Sequence, residues 1–352
     1  MKTTSQITTA SKIKILIAII CTLVFVIAVL WSVDLQKAKQ ALQNASWIYF
    51  VPMFALYGVG HLLRTFRLWT LLERQNGNFF QYLSINTIGF LGINVIPLRL
   101  GEFLRPYLFH EKLHIPWTRS LSALFLERLL DVGMLFLLLL GVSFGVDVSN
   151  TGIFIQDINV LEVGQRGSGF ILIFGSIIGI FVVFFGKYLH PLFLRLPKGA
   201  QLVGILQSIQ SGFQTLFANP KQAIFLIGIS MIIWLCTIFA VQFALLAFQS
   251  SGMPHSFMVA WTVWTIILAG MTAVPTPGFF GIYELSAYGA LSLWQVDESL
   301  SKTFALLLHL GQFGFIVAIG GYFLLHEGLS LFSIASQSFM SQANRKDTKE
   351  ES

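Results

Sequence analysis

The sequence predicts an all-α, polytopic membrane bundle, and three observations carry that prediction. Of 352 residues, 55% are hydrophobic and only 11% charged, with a mean hydropathy of +0.75. A soluble domain carries about twice that charged fraction. Apolar runs of about 18 residues or more recur from end to end, the length that crosses a bilayer as a helix. Strict period-two alternation is absent, so the spans read as helices and not as barrel strands, the two structures that satisfy the backbone in lipid. About eight membrane segments are expected, in a single integral membrane domain over residues 1–352.

Lys2, Lys12 and Lys14 mark residues 1–14 as a cytoplasmic N-terminus ahead of the apolar run Ile15 to Val33. That run is longer than a signal-peptide core and no small-x-small site follows it, so it reads as a retained span. Asp34 to Ser46 is a polar outer connector, and Trp47 to Leu72 returns to a basic end at Arg64, Arg67 and Arg74. Phe79 to Leu113 is broken and must come back to the side it left. Pro116 to Phe144 leads out to an acidic loop with Asp147, Asp157 and Glu162 against Arg166. Phe170 to Phe185 leads in to the basic, partly amphipathic segment 187–221, and Ala223 to Phe248 leads out. Val259 to Trp294 is broken again, and Thr303 to Leu325 delivers the polar tail 327–352, with Arg345, Lys346 and Lys349, to the cytoplasm. The charge asymmetry thus puts both termini on the cytoplasmic side of the cell (inner) membrane, with residues 15–326 forming the bundle.

The two broken stretches resemble each other. Gly92-Ile-Asn-Val-Ile-Pro97 and Gly270-Met-Thr-Ala-Val-Pro275 share Gly, any residue, Asn or Thr, a small apolar residue, a β-branched residue and Pro, 178 positions apart. An odd number of crossings separates them, which relates them by inverted topology, the architecture of many secondary transporters. A chance pattern among 30 glycines is the alternative. Each break reads either as two spans or as a re-entrant loop. Pro97, Gly101, Pro275, Pro277, Gly278 and Gly281 are the expected structural and gating positions, because their freed backbone groups must face protein or a water-filled cavity.

Ionisable side chains inside spans cost about 2.5 to 3.5 kcal/mol each on insertion scales and need partners or substrate. His61, Arg64 and Arg67 share one helical stripe; Arg67 either snorkels to the interface or joins an interior cluster, and Arg64 lies deeper. Arg99, Glu102 and Arg105 would stack on a helix starting after Pro97, with Glu102 bridging two arginines. Their unspent donors suit a phosphodiester, unless the three form only a structural ladder. In Glu127-Arg128-Leu-Leu-Asp131 the acids are expected to hold arginines of the first break rather than to relay protons. Glu284 is the lone carboxylate of the second break. His309 and Gln312 read as satisfied interior polar groups. The candidate substrate-binding set is therefore Arg64, Arg99, Glu102, Arg105, Glu127, Arg128, Asp131 and Glu284. Basic charge exceeds acidic in this set plus Arg67, which suits an anionic headgroup.

The net charge of +6 is scattered through loops and spans and forms no continuous soluble patch, so it reads as topogenic and no nucleic acid is expected. Cys21 and Cys236 lie singly in apolar helices, with neither disulfide framework nor zinc spacing, so no metal or cofactor is expected. There is no Walker loop, no GxGxxG after a strand, no HExxH and no GxSxG.

At Pro97-Leu-Arg-Leu-Gly101-Glu102-Phe-Leu-Arg105, Glu127-Arg128-Leu-Leu-Asp131 and Pro275-Thr-Pro277-Gly278-Phe-Phe-Gly281-Ile-Tyr-Glu284 the chain resembles the lysylphosphatidylglycerol synthase transmembrane-region family of flippase-like proteins. The resemblance covers nearly the whole chain. It implies a domain that moves a lipid or lipid-linked headgroup between leaflets, without the soluble aminoacyltransferase domain that follows it in the synthases. Phe279-Phe280 stand where another glycine is expected. The implied partner is a membrane lipid, an anionic phospholipid or a polyprenyl-linked substrate, and the implied activity is translocation more than enzymology. The alternatives are an accessory membrane subunit of a lipid- or envelope-modifying enzyme, and an embedded headgroup transferase with Glu127 or Glu102 as base.

Overall fold

The computed structural model describes residues 35–96, 101–145, 154–155, 158–159, 219–274 and 276–329. The expected spans Ile15 to Val33 and Phe170 to Phe185, the basic segment up to residue 218, the tail from residue 330, and Pro97, Arg99 and Pro275 lie outside them. The described residues are helical, as expected, apart from an antiparallel pair of two-residue strands, β1 (Phe154–Ile155) and β2 (Ile158–Asn159).

The helices in chain order are α1 (Leu35–Asn44), α2 (Phe50–Leu71), α3 (Phe79–Val95), α4 (Leu104–Leu113) and α5 (Trp117–Gly145), then α6 (Pro220–Ala247), α7 (Phe257–Ala273), α8 (Ile282–Ser292) and α9 (Glu298–His326). Their starts follow local chemistry. Asn78 and Gln81 form a reciprocal capping box at α3. The Ser256 hydroxyl accepts from Val259 N–H at α7, and Asp297 accepts from Ser299 and Leu300 N–H at α9. α6 opens with Asn219 as cap and Pro220 in its first turn, where a missing N–H costs nothing.

By length and composition α6 and α9 can each cross a membrane, and α1 with the helix at Trp47–Leu71 makes a further candidate bent by 75°. α3 and α7 are shorter, 17 residues each, because both end at the expected breaks. Large apolar side chains point outward, including Ile224 at 71% and Leu325 at 81% exposure. Water would penalise such a surface and lipid does not.

The element order recurs. α3 and α7 start 178 positions apart, as do α4 and α8. Each first helix ends on an extended residue, Ile96 or Val274, whose N–H bonds back to the carbonyl of Gly92 or Gly270. The glycines are needed for contact: a Cβ on Gly101 would lie 2.1 Å from the Gly92 carbonyl carbon, and one on Gly270 2.1 Å from Ser286 Oγ. Both broken hairpins therefore close backbone to side chain or backbone to backbone, the approach that small residues permit in lipid, where packing drives association.

The first break differs from expectation in one respect. Residues 101–103 form a 3₁₀ turn and α4 begins only at Leu104. Glu102 and Arg105 thus do not share one α-helix, because the close Gly92–Gly101 contact tightens the chain there, and Arg99 lies outside the described residues.

Two apolar clusters surround the centre. On α2, Met53 and Tyr57 belong to one and Leu68, with Leu72 just past the helix, to the other; on α5, Met134 and Leu138 belong to the first and Ala123 and Leu124 to the second. His61, Thr65 and Arg67 on α2, and Glu127 and Asp131 on α5, occupy the positions between. At the far end the Glu327 carboxylate, just past α9, accepts from Ser84 of α3 at 2.7 Å and pairs with Lys112 of α4. Partial burial alone would raise the Glu327 pKa, but Lys112 and Ser84 hold it below the ordinary carboxylate value.

A Gly101→Ala protein should lose about 1–3 kcal/mol or more of stability from the backbone clash. Gly289→Ala, with nothing near its Cβ, should be tolerated; thermal unfolding in detergent distinguishes the two. Because the folded Glu327 pKa is depressed, its contribution is present above the unfolded value of about 4.3 and is lost as pH falls through the folded value. Glu327→Gln should therefore lower the unfolding temperature at neutral pH and converge with wild type in strong acid.

Candidate functional site

Glu127 is fully buried at the centre of α5 and uses both oxygens on arginines of other helices. Oε1 accepts from Arg67 Nη2 of α2 at 3.3 Å, and Oε2 accepts from Arg105 Nη1 of α4 at 2.9 Å. Arg67 reaches further, to Asp131 Oδ1 at 2.9 Å and to the Ser230 hydroxyl of α6 at 2.9 Å. Arg105 also donates to Asn86 Oδ1 of α3 at 3.2 Å, and Asn86 in turn donates to Thr65 Oγ1 at 3.0 Å. One carboxylate thereby ties α2, α4 and α5 directly, and α3 and α6 through its partners. Gly89 makes room for the Arg105 stem, since a Cβ there would lie 2.2 Å from Arg105 Cγ.

Beside this sealed network lies a cavity of about 320 Å³, of the size that small-molecule sites occupy. Arg64, Arg128, Glu102 and Asp131 line it together with His61, Asn94 and aromatic residues. Arg64 stands with its guanidinium 4.8 Å from the centre of the Trp234 ring, a cation–π placement. Among the described residues no carboxylate lies within ion-pair distance of it. Arg128 Nη2 lies 3.8 Å from Glu127 and 3.7 Å from Asp131, too far for a hydrogen bond, and it has no hydrogen-bond partner. Its side chain is 40% exposed. Among the described residues neither guanidinium has a hydrogen-bond acceptor, and Arg128 Nη2 is itself buried.

The second break closes the cavity's other wall. Pro277–Phe279 form a 3₁₀ turn in which Gly278 and Phe279 both have left-handed backbones, φ 60° and 61°. For phenylalanine this costs roughly 1–2 kcal/mol, and it explains why a glycine is expected there. A Cβ on Gly278 would lie 3.3 Å from the carbonyl oxygen of Asn94, so the two breaks touch. Glu284 Oε2 accepts from Gly281 N–H at 2.7 Å and caps α8. Its other oxygen is 2.6 Å from His309 Nδ1, while His309 Nε2 is 2.9 Å from the Gly278 carbonyl oxygen. Tyr283 stacks on the His309 ring with centroids 4.3 Å apart.

Of the sequence-derived candidates, Arg64, Glu102, Arg128 and Asp131 line the cavity, and Glu127 stands behind it. Arg105 is only 1% exposed and is spent on Glu127 and Asn86, so the expected bridge from Glu102 to Arg105 is replaced by one from Glu127. The acids of the Glu127–Asp131 segment do hold an arginine of the first break. Glu284 belongs to the second break and, among the described residues, meets His309 and no arginine. Pro277, Gly278 and Gly281 form the turn itself, and Gly101 packs the first break.

Arg67, which sequence reasoning left between interface and interior, is fully buried in the network. Asn86 and Ser230 were not singled out. Asn86-Thr87 is an adjacent polar pair in the middle of a mainly apolar helix, and that is a signal; an isolated serine such as Ser230 offers none.

Arg105→Ala leaves Glu127 short of one counter-charge in an apolar interior, a change that costs about 3–5 kcal/mol. We expect the protein to lose thermal stability or to fail to fold. The double variant Arg105→Met with Glu127→Gln should recover much of the loss, as read by thermal unfolding.

No curated protein and no solved structure matches the chain. A family model does, that of the lysylphosphatidylglycerol synthase TM region, over residues 13–320. These bounds hold both breaks, the buried Glu127 network and the cavity between them, and the chain belongs to that family of membrane proteins.

Proposed function

We propose that the chain moves an anionic membrane lipid, or a lipid-linked phosphate headgroup, between leaflets. The observation that carries this reading is the cavity where the two breaks meet, lined by Arg64 and Arg128, neither of which has a hydrogen-bond acceptor among the described residues. Guanidinium forks with free donors suit phosphate oxygens. Four arginines, Arg64, Arg67, Arg105 and Arg128, stand against Glu102, Glu127 and Asp131, so an anion would balance the surplus.

Within this reading Arg64 and Arg128 hold the phosphate. Arg99, which belongs by sequence to the first break, is assigned to the same anion path. Glu127, Arg67 and Arg105 keep the frame, and Asp131 and Glu102 set the local charge. The headgroup passes through the cavity while the acyl chains stay in lipid, and the turn at Pro277–Phe279 opens and closes the passage. The recurrence of α2–α5 as α6–α9 supports inverted repeats whose broken helices meet near the midplane, as in many secondary transporters. The family's name ties its members to a phospholipid product. Arg74, just past the end of α2, supports an inner-membrane orientation with both termini cytoplasmic.

The test is headgroup-labelled phosphatidylglycerol in vesicles containing the purified protein, with an impermeant quencher reporting the outer leaflet. A charge-assisted hydrogen bond contributes about 1.5–3 kcal/mol, or roughly 10- to 150-fold. Arg64→Ala and Arg128→Ala should each slow movement by about tenfold or more, and the double variant should abolish it while the fold persists. Wild-type rates in the double variant would sink the assignment.

A further inference from the structure

The pair His309 and Glu284 carries a requirement that the anion site does not explain. Both ring nitrogens of His309 face acceptors: Nδ1 lies 2.6 Å from Glu284 Oε1, and Nε2 lies 2.9 Å from the Gly278 carbonyl oxygen. A carbonyl oxygen cannot donate, so Nε2 carries hydrogen. The short Nδ1–Oε1 contact also needs one hydrogen between its atoms, on the ring or on the carboxyl. A neutral imidazole beside an ionised carboxylate supplies only one of the two. The observed geometry holds one proton more.

Charge accounting agrees with the hydrogen count. His309 is 3% exposed and Glu284 5%, and among the described residues no lysine or arginine lies within 4.0 Å of Glu284, whose one ion-pair partner is His309. With the extra proton the pair is neutral; without it, a negative charge sits unpaired in an apolar wall, which is costly. From α8 the facing groups are Glu284 and the stacked Tyr283, whose hydroxyl donates to Gln312 of α9. The second break contributes the Gly278 carbonyl and the Phe280 ring, and α9 adds Phe313. Across the cavity stand Tyr57, His61 and Arg64 of α2, Arg128 and Asp131 of α5, and Glu102. Among the described residues none of those charged groups lies within ion-pair distance of Glu284. Both His309 and Tyr283 line the cavity, which gives a proton its route.

We propose that His309 and Glu284 form a proton-binding site that locks the second break. When the proton leaves to the cavity, the ring keeps a single hydrogen. The ionised carboxylate is a stronger acceptor than a carbonyl, so that hydrogen stays on Nδ1 toward Glu284. The bare Nε2 then faces the Gly278 oxygen, lone pair to lone pair, and the bond is lost. Gly278 is where the second break meets Asn94 of the first. Protonation therefore docks the two breaks, and deprotonation releases the turn.

The gating consequence rests on the translocation reading above, whereas the proton site does not, and the experiment separates them. The full chain, labelled with ¹⁵N-histidine in lipid nanodiscs, is followed by NMR, with infrared spectroscopy reporting the carboxyl. The His309 signal is assigned by its disappearance in His309→Gln and its shift in Glu284→Gln. At neutral pH the expected result is either a ring with hydrogen on both nitrogens or a protonated Glu284 carboxyl absent from Glu284→Gln. A neutral ring with an ionised Glu284 overturns the site.

In vesicles, wild-type movement of labelled phosphatidylglycerol should rise with pH by up to about tenfold per pH unit, the limit for one proton. Both variants should lose that slope, with fold checked by size exclusion and thermal unfolding. An unchanged slope in both folded variants overturns the gate. A wild type that moves no lipid at any pH overturns translocation and with it the gate, and the spectra still decide the proton site.

Discussion

Burying Glu127 in the middle of a helical bundle is the constraint around which the other polar features are arranged. A carboxylate at that depth must be neutralised, and the chain does so with two arginines that come from different helices, one for each oxygen. Such a pair is no cheap source of stability, since desolvation offsets most of the attraction. Its value lies in direction. Apolar helices in lipid slide and rotate at small cost because every neighbour is equally greasy, and a charge that must meet two given partners removes that freedom. α2, α4 and α5 are thereby fixed in rotation and depth, and Asn86 and Ser230 extend the constraint to α3 and α6.

Fixing the frame in this way leaves the cavity free for other chemistry. Arg67 and Arg105 pair with carboxylates inside the wall, each with a buried Nε left over among the described residues, while Arg64 and Arg128, close to them in sequence or space, line the open volume. One set of cations serves architecture and the other faces the cavity, and the difference is which acids reach them. The two breaks divide similarly. The first brings Glu102 and the tight Gly92–Gly101 contact, and the second brings a strained turn held by a histidine and a carboxylate. Similar backbones thus carry unlike side-chain chemistry.

Much of this was legible in sequence. Hydropathy gave helices in a membrane, and the recurring Gly-x-Asn/Thr pattern located both helix ends, because an extended residue before proline stops a helix wherever it occurs. The charged positions in spans also marked the centre, since lipid tolerates them only with partners. Partner choice was harder. The spacing of Glu102 and Arg105 suggested a local ladder, but the glycine contact tightened the backbone into a 3₁₀ turn and Arg105 turned toward a carboxylate 22 positions away. Nothing local encodes such a pairing. His309 shows the same limit: it reads as an interior polar residue from its neighbours, and only the packing of α9 against α8 brings Glu284 and Gly278 to its two nitrogens.

The placement of Glu127 also bears on how the chain is made. Both arginines that neutralise it, Arg67 and Arg105, are encoded upstream, so they have left the ribosome before α5 does. A helix carrying Glu127, Arg128 and Asp131 is a poor candidate for entering the bilayer unaided, at about 2.5–3.5 kcal/mol per central charge. Emerging beside α2 and α4, it finds counter-charges already in place and can leave the insertion machinery with its carboxylates paired. Order of synthesis then does part of the work of solvation: Glu127 is delivered to its arginines, and only the last tie, through Ser230, waits for α6.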